Sequence, residues 1–476
     1  MAGLIARVRL LERSHPGGRR AELLWPLGAG LPAALVLAWV LSVSVQAAAA
    51  LVLVLLVVGL HQHDRRWGIA AMLAFWFLAP GLRRVLGLVT GYVDTDPLSV
   101  APFVATAAIA ALELVHIRLP SRAGRILLLA AAGFALGLPA GLLVGPRAAV
   151  YAFCAYLAAL AAAVLGFNER STSLGASTLR RVLLVALPPI AAYAIAQRVL
   201  PLPDLDQAWL DATNFNSIGA SRDDEIRVFA SLNSPGALAP LLALSLLCYL
   251  TVRPRHLSLA VIGAALLSVA LALTLVRSAW LSLIVAGLAH VIASRGSSAR
   301  LVFGAAAVAV AVTLALSPVS ATARDVVNRF DTFGNLGEDR SVSDRSTTLS
   351  TTLPEALSRP FGHGLGTAGE PSKLTGGELL RTPDNGYLAL IYQVGPIGFL
   401  LVMVPAAYML WAAWTGARAR APGQELRLLL FAILVFTLVQ MAAGDQLYGS
   451  NAVIFWFAGG QVLAYELFQR RRARPQ

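Results

Sequence analysis

The sequence predicts an all-α, polytopic integral membrane protein of about 14 transmembrane helices (12 to 14), with a long outer loop carrying short helices. Three observations predict it. The chain of 476 residues is 57% hydrophobic and 13% charged, with a mean hydropathy of +0.70. Soluble domains carry about 25% charged residues. Apolar runs long enough to cross about 30 Å of hydrocarbon as helix recur along the whole chain. The runs lack the two-residue alternation of barrel strands, and a helix satisfies its own backbone hydrogen bonds in lipid.

The expected spans are 24–42, 44–60, 69–88, 99–117, 126–145, 148–166, 182–200, 236–252, 257–276, 279–294, 301–317, 387–413, 427–443 and 451–468. The close pairs within 24–60 and 257–294 are the ones most open to a different division. The basic stretch Met1–Arg20 has no apolar core, so no cleaved signal peptide is expected. With that stretch placed inside, alternation brings every arginine-rich connector to the same side: Arg65-Arg66, Arg118 to Arg125, Arg170 to Arg181, Arg253/Arg255, Arg295/Arg300, Arg418/Arg420 and the tail Arg470–Arg474. Of the 38 Lys and Arg, 24 fall inside with 7 of the 25 acids, which leaves +17 inside and −4 outside. Positive-inside bias then sets the orientation, with both termini cytoplasmic. The net charge of +13 is explained by topology rather than by nucleic acid.

The resulting organisation is a cytoplasmic segment 1–23, N-terminal spans 24–200, an outer loop 201–235, central spans 236–317, a long outer loop 318–386, C-terminal spans 387–468 and a tail 469–476. The two outer loops alone have room for chemistry. Neither heptads nor short-period repeats occur. Cys154 and Cys248 lie in apolar runs and read as small buried hydrophobes, without a disulfide or metal site.

The long loop holds Ser358-Arg359-Pro360-Phe361-Gly362-His363-Gly364-Leu365-Gly366-Thr367, then Thr382-Pro383-Asp384-Asn385-Gly386-Tyr387, ahead of Gly395-Pro396-Ile397-Gly398. Glycines on both sides of His363 let the backbone turn tightly and approach a ligand; the alternative is a structural histidine. Asp384, sheltered from water, has the chemistry of a general base; its alternative, shared with Asn385, is to cap the helix that follows. Fourteen basic residues fall outside against the topological bias. Arg277 sits between two apolar runs with almost no loop, where an arginine marks a functional site or a buried ion pair. Its guanidinium can grip phosphate oxygens bidentately; the alternatives are snorkelling and a structural ion pair. Arg227 precedes Asn233-Ser234-Pro235-Gly236, where Ser234 or Asn233 would cap a helix whose N-terminus faces an anion; the alternative is a surface arginine paired with the neighbouring acids. Arg345 lies at the start of an expected amphipathic helix, 344–358, with Leu349, Leu353 and Leu357 in one stripe on the membrane face or over a cavity. Arg83-Arg84 is a further candidate phosphate contact, with snorkelling as the alternative.

In order and sidedness these pieces resemble the superfamily of O-antigen ligases and polysaccharide polymerases. The pieces are Arg227 ahead of Asn-Ser-Pro-Gly, Arg277-Ser278 with Trp280, Arg345 through Gly366, and Asn385 with Gly395 and Gly398. The resemblance covers roughly residues 220–400. Ligases carry a His, then Asn, Ser or Gln, then nine residues before Gly-x-x-Gly. This chain keeps the spacing but has Asp384 in place of the His, which is closer to the polymerase branch.

The resemblance implies an inverting, metal-independent glycosyltransferase at the periplasmic face of a bacterial inner membrane. Its donor is a glycan on undecaprenyl pyrophosphate and its acceptor another lipid-linked repeat, with no cofactor. Asp384, His363 and Arg277 are the expected catalytic residues, and Arg227, Arg345, Arg222, Asn385 and Arg359 the substrate-binding ones. Membrane lipid, a chain-length regulator and a flippase are the implied partners. The alternatives are a ligase moving the same donor to lipid A–core or another acceptor, and a lipid-linked glycan transporter. Transport predicts charge spread through many spans near the midplane, whereas here it gathers at one face.

Overall fold

A computed structural model of the chain describes residues 44–92, 96–116, 121–169, 177–213, 218, 226–251, 257–295, 340–375, 385–419 and 422–472. All regular structure among them is helical: α1 Val45–His63, α2 Arg65–Thr90, α3 Pro97–His116, α4 Ser121–Leu136, α5 Leu138–Val144, α6 Pro146–Asn168, α7 Thr178–Val199, α8 Asp204–Thr213, α9 Pro235–Thr251, α10 Leu257–Leu273, α11 Arg277–Ala293, α12 Arg340–Ser358, α13 Gly386–Arg418, α14 Gln424–Gln440 and α15 Gly449–Arg472. Twelve of the expected spans fall on these helices, the fifth as α4 with α5; spans 24–42 and 301–317 lie outside the described residues. The protein is an all-α polytopic membrane protein. Eight stretches of the described residues, seven single helices and α4 taken with α5, are long and apolar enough to cross a bilayer, and α9, α10 and α11 are shorter apolar helices.

The last span follows a different rule. Helix α15 carries Asn451, Gln461 and Glu466, yet Ala452–Leu463 is buried almost without interruption. It is the central helix, so protein surrounds it and polar side chains find partners there. It lies against α6 backbone to backbone: a Cβ on Gly166 would stand 1.9 Å from the Phe457 carbonyl oxygen, and one on Gly460 2.0 Å from that of Ala163. Small residues allow such approach where no hydrophobic effect drives helices together. Cys248 is buried as expected; Cys154 departs from expectation and is exposed on the bundle surface.

Arg84 has a different task from the one its position suggested. Its side chain is buried, bonds Asp206 and the Ala230 carbonyl, and lies over the rings of Trp209 and Phe229 at 5.5 and 5.1 Å. Asp206 also accepts from Tyr193 Oη and Gln197 Nε2, each at 2.6 Å. Helix α8 and the backbone at Ala230 are thereby clamped onto α2 and α7, and Arg84 is sequestered from lipid phosphate. Arg83 pairs with Asp96 at 3.4 Å. Removing one partner of a buried pair strands the other charge, at about 3–5 kcal/mol. Asp206→Ala is therefore expected to lower the melting temperature in detergent strongly, while Asp204→Ala on the same short helix leaves it nearly unchanged; equal melting of the two variants would contradict the clamp.

At the opposite ends of the helices, Glu113 gathers His61, Arg65 and Asn168, and Glu169 accepts from the Thr178 amide at 2.7 Å and from Gln461. These acids join α1, α2, α3, α6, α7 and α15.

Candidate functional site

Helix α13 breaks where its sequence requires it. Gly395 has φ 71°, and Pro396 has no N–H to give to the Tyr392 carbonyl. The break leaves the carbonyls of Tyr392 and Gln393 without helical partners. The glycine loop supplies them: His363 N–H donates to Tyr392 O at 2.8 Å and Gly364 N–H to Gln393 O at 3.1 Å. In return Ile397 N–H reaches Pro360 O at 3.4 Å, and Leu365 N–H donates to Gly137 O at 2.9 Å at the end of α4. Gly362, Gly364 and Gly366 all have positive φ, and a Cβ on Gly364 would lie 2.3 Å from the Gly141 nitrogen. The loop is thus docked backbone to backbone, and its glycines serve that docking. Gly398 serves a related purpose, since its Cβ would meet the Gly133 carbonyl of α4 at 2.9 Å.

His363 is buried, stacked on Tyr392 with centroids 4.1 Å apart, and its Nε2 lies 3.6 Å from Glu355 of α12. Burial and then the neighbouring Arg359 hold its pKa below the usual imidazole range, against the pull of Glu355. The ring is therefore neutral at pH 7. Nδ1 has no hydrogen-bond partner among the described residues. Arg359 itself is exposed. Helix α12 begins at Arg340, ahead of the expected start; it buries Ala356 and half-buries Leu353 against α13, and Leu349 and Leu357 of the expected stripe are left exposed.

From the loop a hydrogen-bonded path runs to an acid that sequence reasoning passed over. Gly366 N–H donates to Gln393 Oε1 at 3.0 Å, Gln393 Nε2 to Tyr156 Oη at 3.3 Å, and Tyr156 Oη to Asp445 Oδ2 at 2.7 Å. Asp445 sits in the turn between α14 and α15 and also accepts from Leu447 N–H at 2.9 Å. Withdrawal from water holds its carboxyl above the usual range, partly offset by those two donors. The turn abuts the start of α13: a Cβ on Gly386 would stand 2.9 Å from the Asp445 Cα. Beside it Tyr448 Oη donates to Tyr151 Oη at 2.7 Å. The available signal was the position of Asp445 as the one acid in the short connector between two expected spans.

Arg227 and Arg277 meet at one turn. Arg227 Nε donates to Thr274 O at 3.1 Å and Nη2 to Leu275 O at 3.4 Å, capping the C-terminal carbonyls of α10. Arg277, half-buried, opens α11 directly after that turn. Next to it Ser278 Oγ accepts from Gln440 Nε2 at 3.1 Å, and Ser282 Oγ donates to Gln440 Oε1 at 2.8 Å. Gln440 ends α14 and leads into the Asp445 turn, so the arginine turn and the carboxylate turn are joined through one helix end. Asn385 Oδ1 caps α13, accepting from Tyr387 and Leu388 N–H at 3.0 and 3.1 Å. Ser234 caps α9 through the Gly236 amide at 3.2 Å, whereas Asn233 turns to the Pro80 carbonyl. Asp384 and Arg222 lie outside the described residues; Arg345 is on α12, and its side chain is not among those described.

The arrangement defines a class: a polytopic membrane bundle in which the turn ahead of Arg277, the Tyr448–Tyr151 pair and the Asp445 turn lie at the same end of the helices. Residues 262–403 match the family model described as O-antigen ligase. Over these residues the chain is similar to the O-antigen ligase family. The match runs from α10 to beyond the break in α13 and so includes Arg277, the glycine loop and Gly395. Arg227 and Asp445 fall outside it. A comparison of the chain with curated proteins finds no match.

Proposed function

We propose that the protein polymerises undecaprenyl-pyrophosphate-linked oligosaccharide repeats at the periplasmic face of a bacterial inner membrane, by inversion and without nucleotide. The observation that carries this reading is the joining of the Arg227–Arg277 turn to the Asp445 turn through Gln440. An acceptor hydroxyl attacks the anomeric carbon of the donor sugar from the face opposite the leaving group. Its proton passes to a carboxylate, a new glycosidic C–O bond forms, and the bond from the anomeric carbon to the pyrophosphate oxygen breaks. The pyrophosphate leaves with an added negative charge. Arg277 meets that charge as it develops, the point at which electrostatic help counts toward rate; Arg227 braces the turn and adds its own charge. This division of labour makes a divalent metal unnecessary. Asp384, next to the Asn385 cap in sequence, and Asp445 are the two candidates for the base. Neutral His363 positions the acceptor.

The pH dependence separates the two acids. A carboxyl with a raised pKa gains proton-accepting power only as pH climbs through that value, so Asp445 as base gives an acid limb above the ordinary carboxylate range. The same shift has a stability consequence: a raised folded-state pKa favours the folded protein at low pH, and that contribution is lost as pH rises through it. Asp445→Asn is therefore expected to be neutral or stabilising at pH 7 while turnover falls about 10²-fold or more. If turnover survives in Asp445→Asn but not in Asp384→Asn, Asp384 is the base and Asp445 a support for Tyr156. Purified protein with lipid-linked repeats tests the activity itself. A ladder of lengths on a gel is expected; a single shifted band on lipid A–core indicates the ligase, and absence of any product opposes both.

A further inference from the structure

At the far end of α13 from the candidate site, α13, α14 and α15 enclose a cleft of about 270 Å³ lined by Trp411, Thr415, Arg427, Val462, Tyr465 and Glu466, with Ala412 and Ala413 at its back. Its chemistry is split. Val462 and the two alanines are buried and apolar, the Trp411 indole is half exposed at the mouth, and Glu466 brings a carboxylate to the same cleft. Glu466 Oε1 accepts from Tyr408 Oη at 2.5 Å and lies 3.9 Å from Arg122 of α4, whose guanidinium covers the Tyr408 ring at 5.2 Å. Arg122 is 43% exposed against 12% for Glu466, so the acid is set in and the base stands at the rim. Arg427 has another use: it donates to the carbonyls of Gly416, Ala419 and Pro422 at 2.7, 3.0 and 2.9 Å and closes the end of α13.

A carboxylate and a guanidinium side by side at a membrane boundary, with Tyr408 beneath the guanidinium and Trp411 and Tyr465 lining the same cleft, form a receptor for a zwitterion. We propose that this cleft binds an aminophospholipid with a primary amine, of the phosphatidylethanolamine class, from the leaflet facing the arginine-rich connectors. The ammonium donates to Glu466 and lies against the Trp411 and Tyr465 rings, where cation–π attraction adds to the charge. The phosphate, joined to that nitrogen by a two-carbon bridge, falls on Arg122. One acyl chain follows Val462 and Ala412 into the cleft. A choline head fits worse because its nitrogen has no N–H to give the carboxylate, and a glycerol head because it brings no positive charge. The site is independent of the glycan chemistry at the other end of the helices.

The test is native mass spectrometry of the full-length protein released from nanodiscs holding equal parts of phosphatidylethanolamine, phosphatidylcholine and phosphatidylglycerol. Retention of one phosphatidylethanolamine in preference to the other two is expected, and a reduction of that preference by about tenfold in Glu466→Gln. Trp411→Leu, on the exposed mouth, provides a second variant with the same expected loss if Glu466→Gln disturbs folding. Equal retention of the three lipids, preference for phosphatidylglycerol (phosphate contact alone), or an undiminished preference in both variants would overturn the proposal.

Discussion

Replacing Arg277 by alanine is expected to abolish glycan transfer while leaving membrane insertion intact. The guanidinium opens α11 directly after a turn already held by Arg227 on the Thr274 and Leu275 carbonyls, so the turn survives without it. Ser278, Ser282 and Gln440 continue to join α11 to α14. On the proposed function, what is lost is positive charge beside the departing pyrophosphate. Losing one preorganised electrostatic group typically lowers turnover by about 10²–10³-fold, and a dianionic or trianionic leaving group lies at the upper end. Lysine at this position restores charge without the planar fork, so Arg277→Lys is expected between wild type and alanine. The comparison is made on turnover of lipid-linked repeats, with melting temperature as the control. Full activity in Arg277→Ala removes the residue from the chemistry.

Gly395→Val is expected to do the opposite, breaking the scaffold. Gly395 has φ 71° in the middle of α13, and a Cβ there would lie 2.2 Å from the Pro360 carbonyl oxygen and 2.4 Å from the Gly362 nitrogen. A β-branched side chain therefore meets both a forbidden backbone conformation and two backbone atoms with no room to retreat. Either the helix straightens or the glycine loop is expelled. In both cases Tyr392 O and Gln393 O lose their donors and His363 leaves its stack on Tyr392. Each buried polar group left unpaired costs about 1–3 kcal/mol, so a combined loss of several kcal/mol is expected, read as a large fall in melting temperature or failure to express. A stable Gly395→Val protein would mean the loop is not anchored by the break.

The membrane architecture was legible because lipid enforces a single local rule. Helix lengths follow from hydrocarbon thickness, so Val45–His63, Pro146–Asn168 and Thr178–Val199 fall where apolar length places them. Helix α15 was legible by length, but its core position was not, since Gly166 and Gly460 betray a close helix contact only once their partners are known. The glycine loop was singled out correctly as unusual, for a reason the structure revises: its glycines fit the loop to a broken helix. The break was written in Gly395-Pro396, but two carbonyls needing donors point to no particular partner in the sequence. The same limit applies to Arg84, whose match with Asp206 joins distant parts of the chain. Asp445 was missed because an isolated acid in a short connector carries no pattern; only the approach of Tyr156 and Gln393 makes it conspicuous.

The central claim is that the arginine turn and the carboxylate turn together exchange a lipid pyrophosphate for a sugar hydroxyl. The most direct measurement is the ratio of lipid pyrophosphate released to glycosidic bonds formed, with purified protein, lipid-linked repeats, no nucleotide and no added metal. One pyrophosphate freed for each new linkage, lost in Arg277→Ala, is the expected result. Glycan that changes sides of the membrane with its pyrophosphate still attached, or elongation that requires a nucleotide sugar, would contradict it.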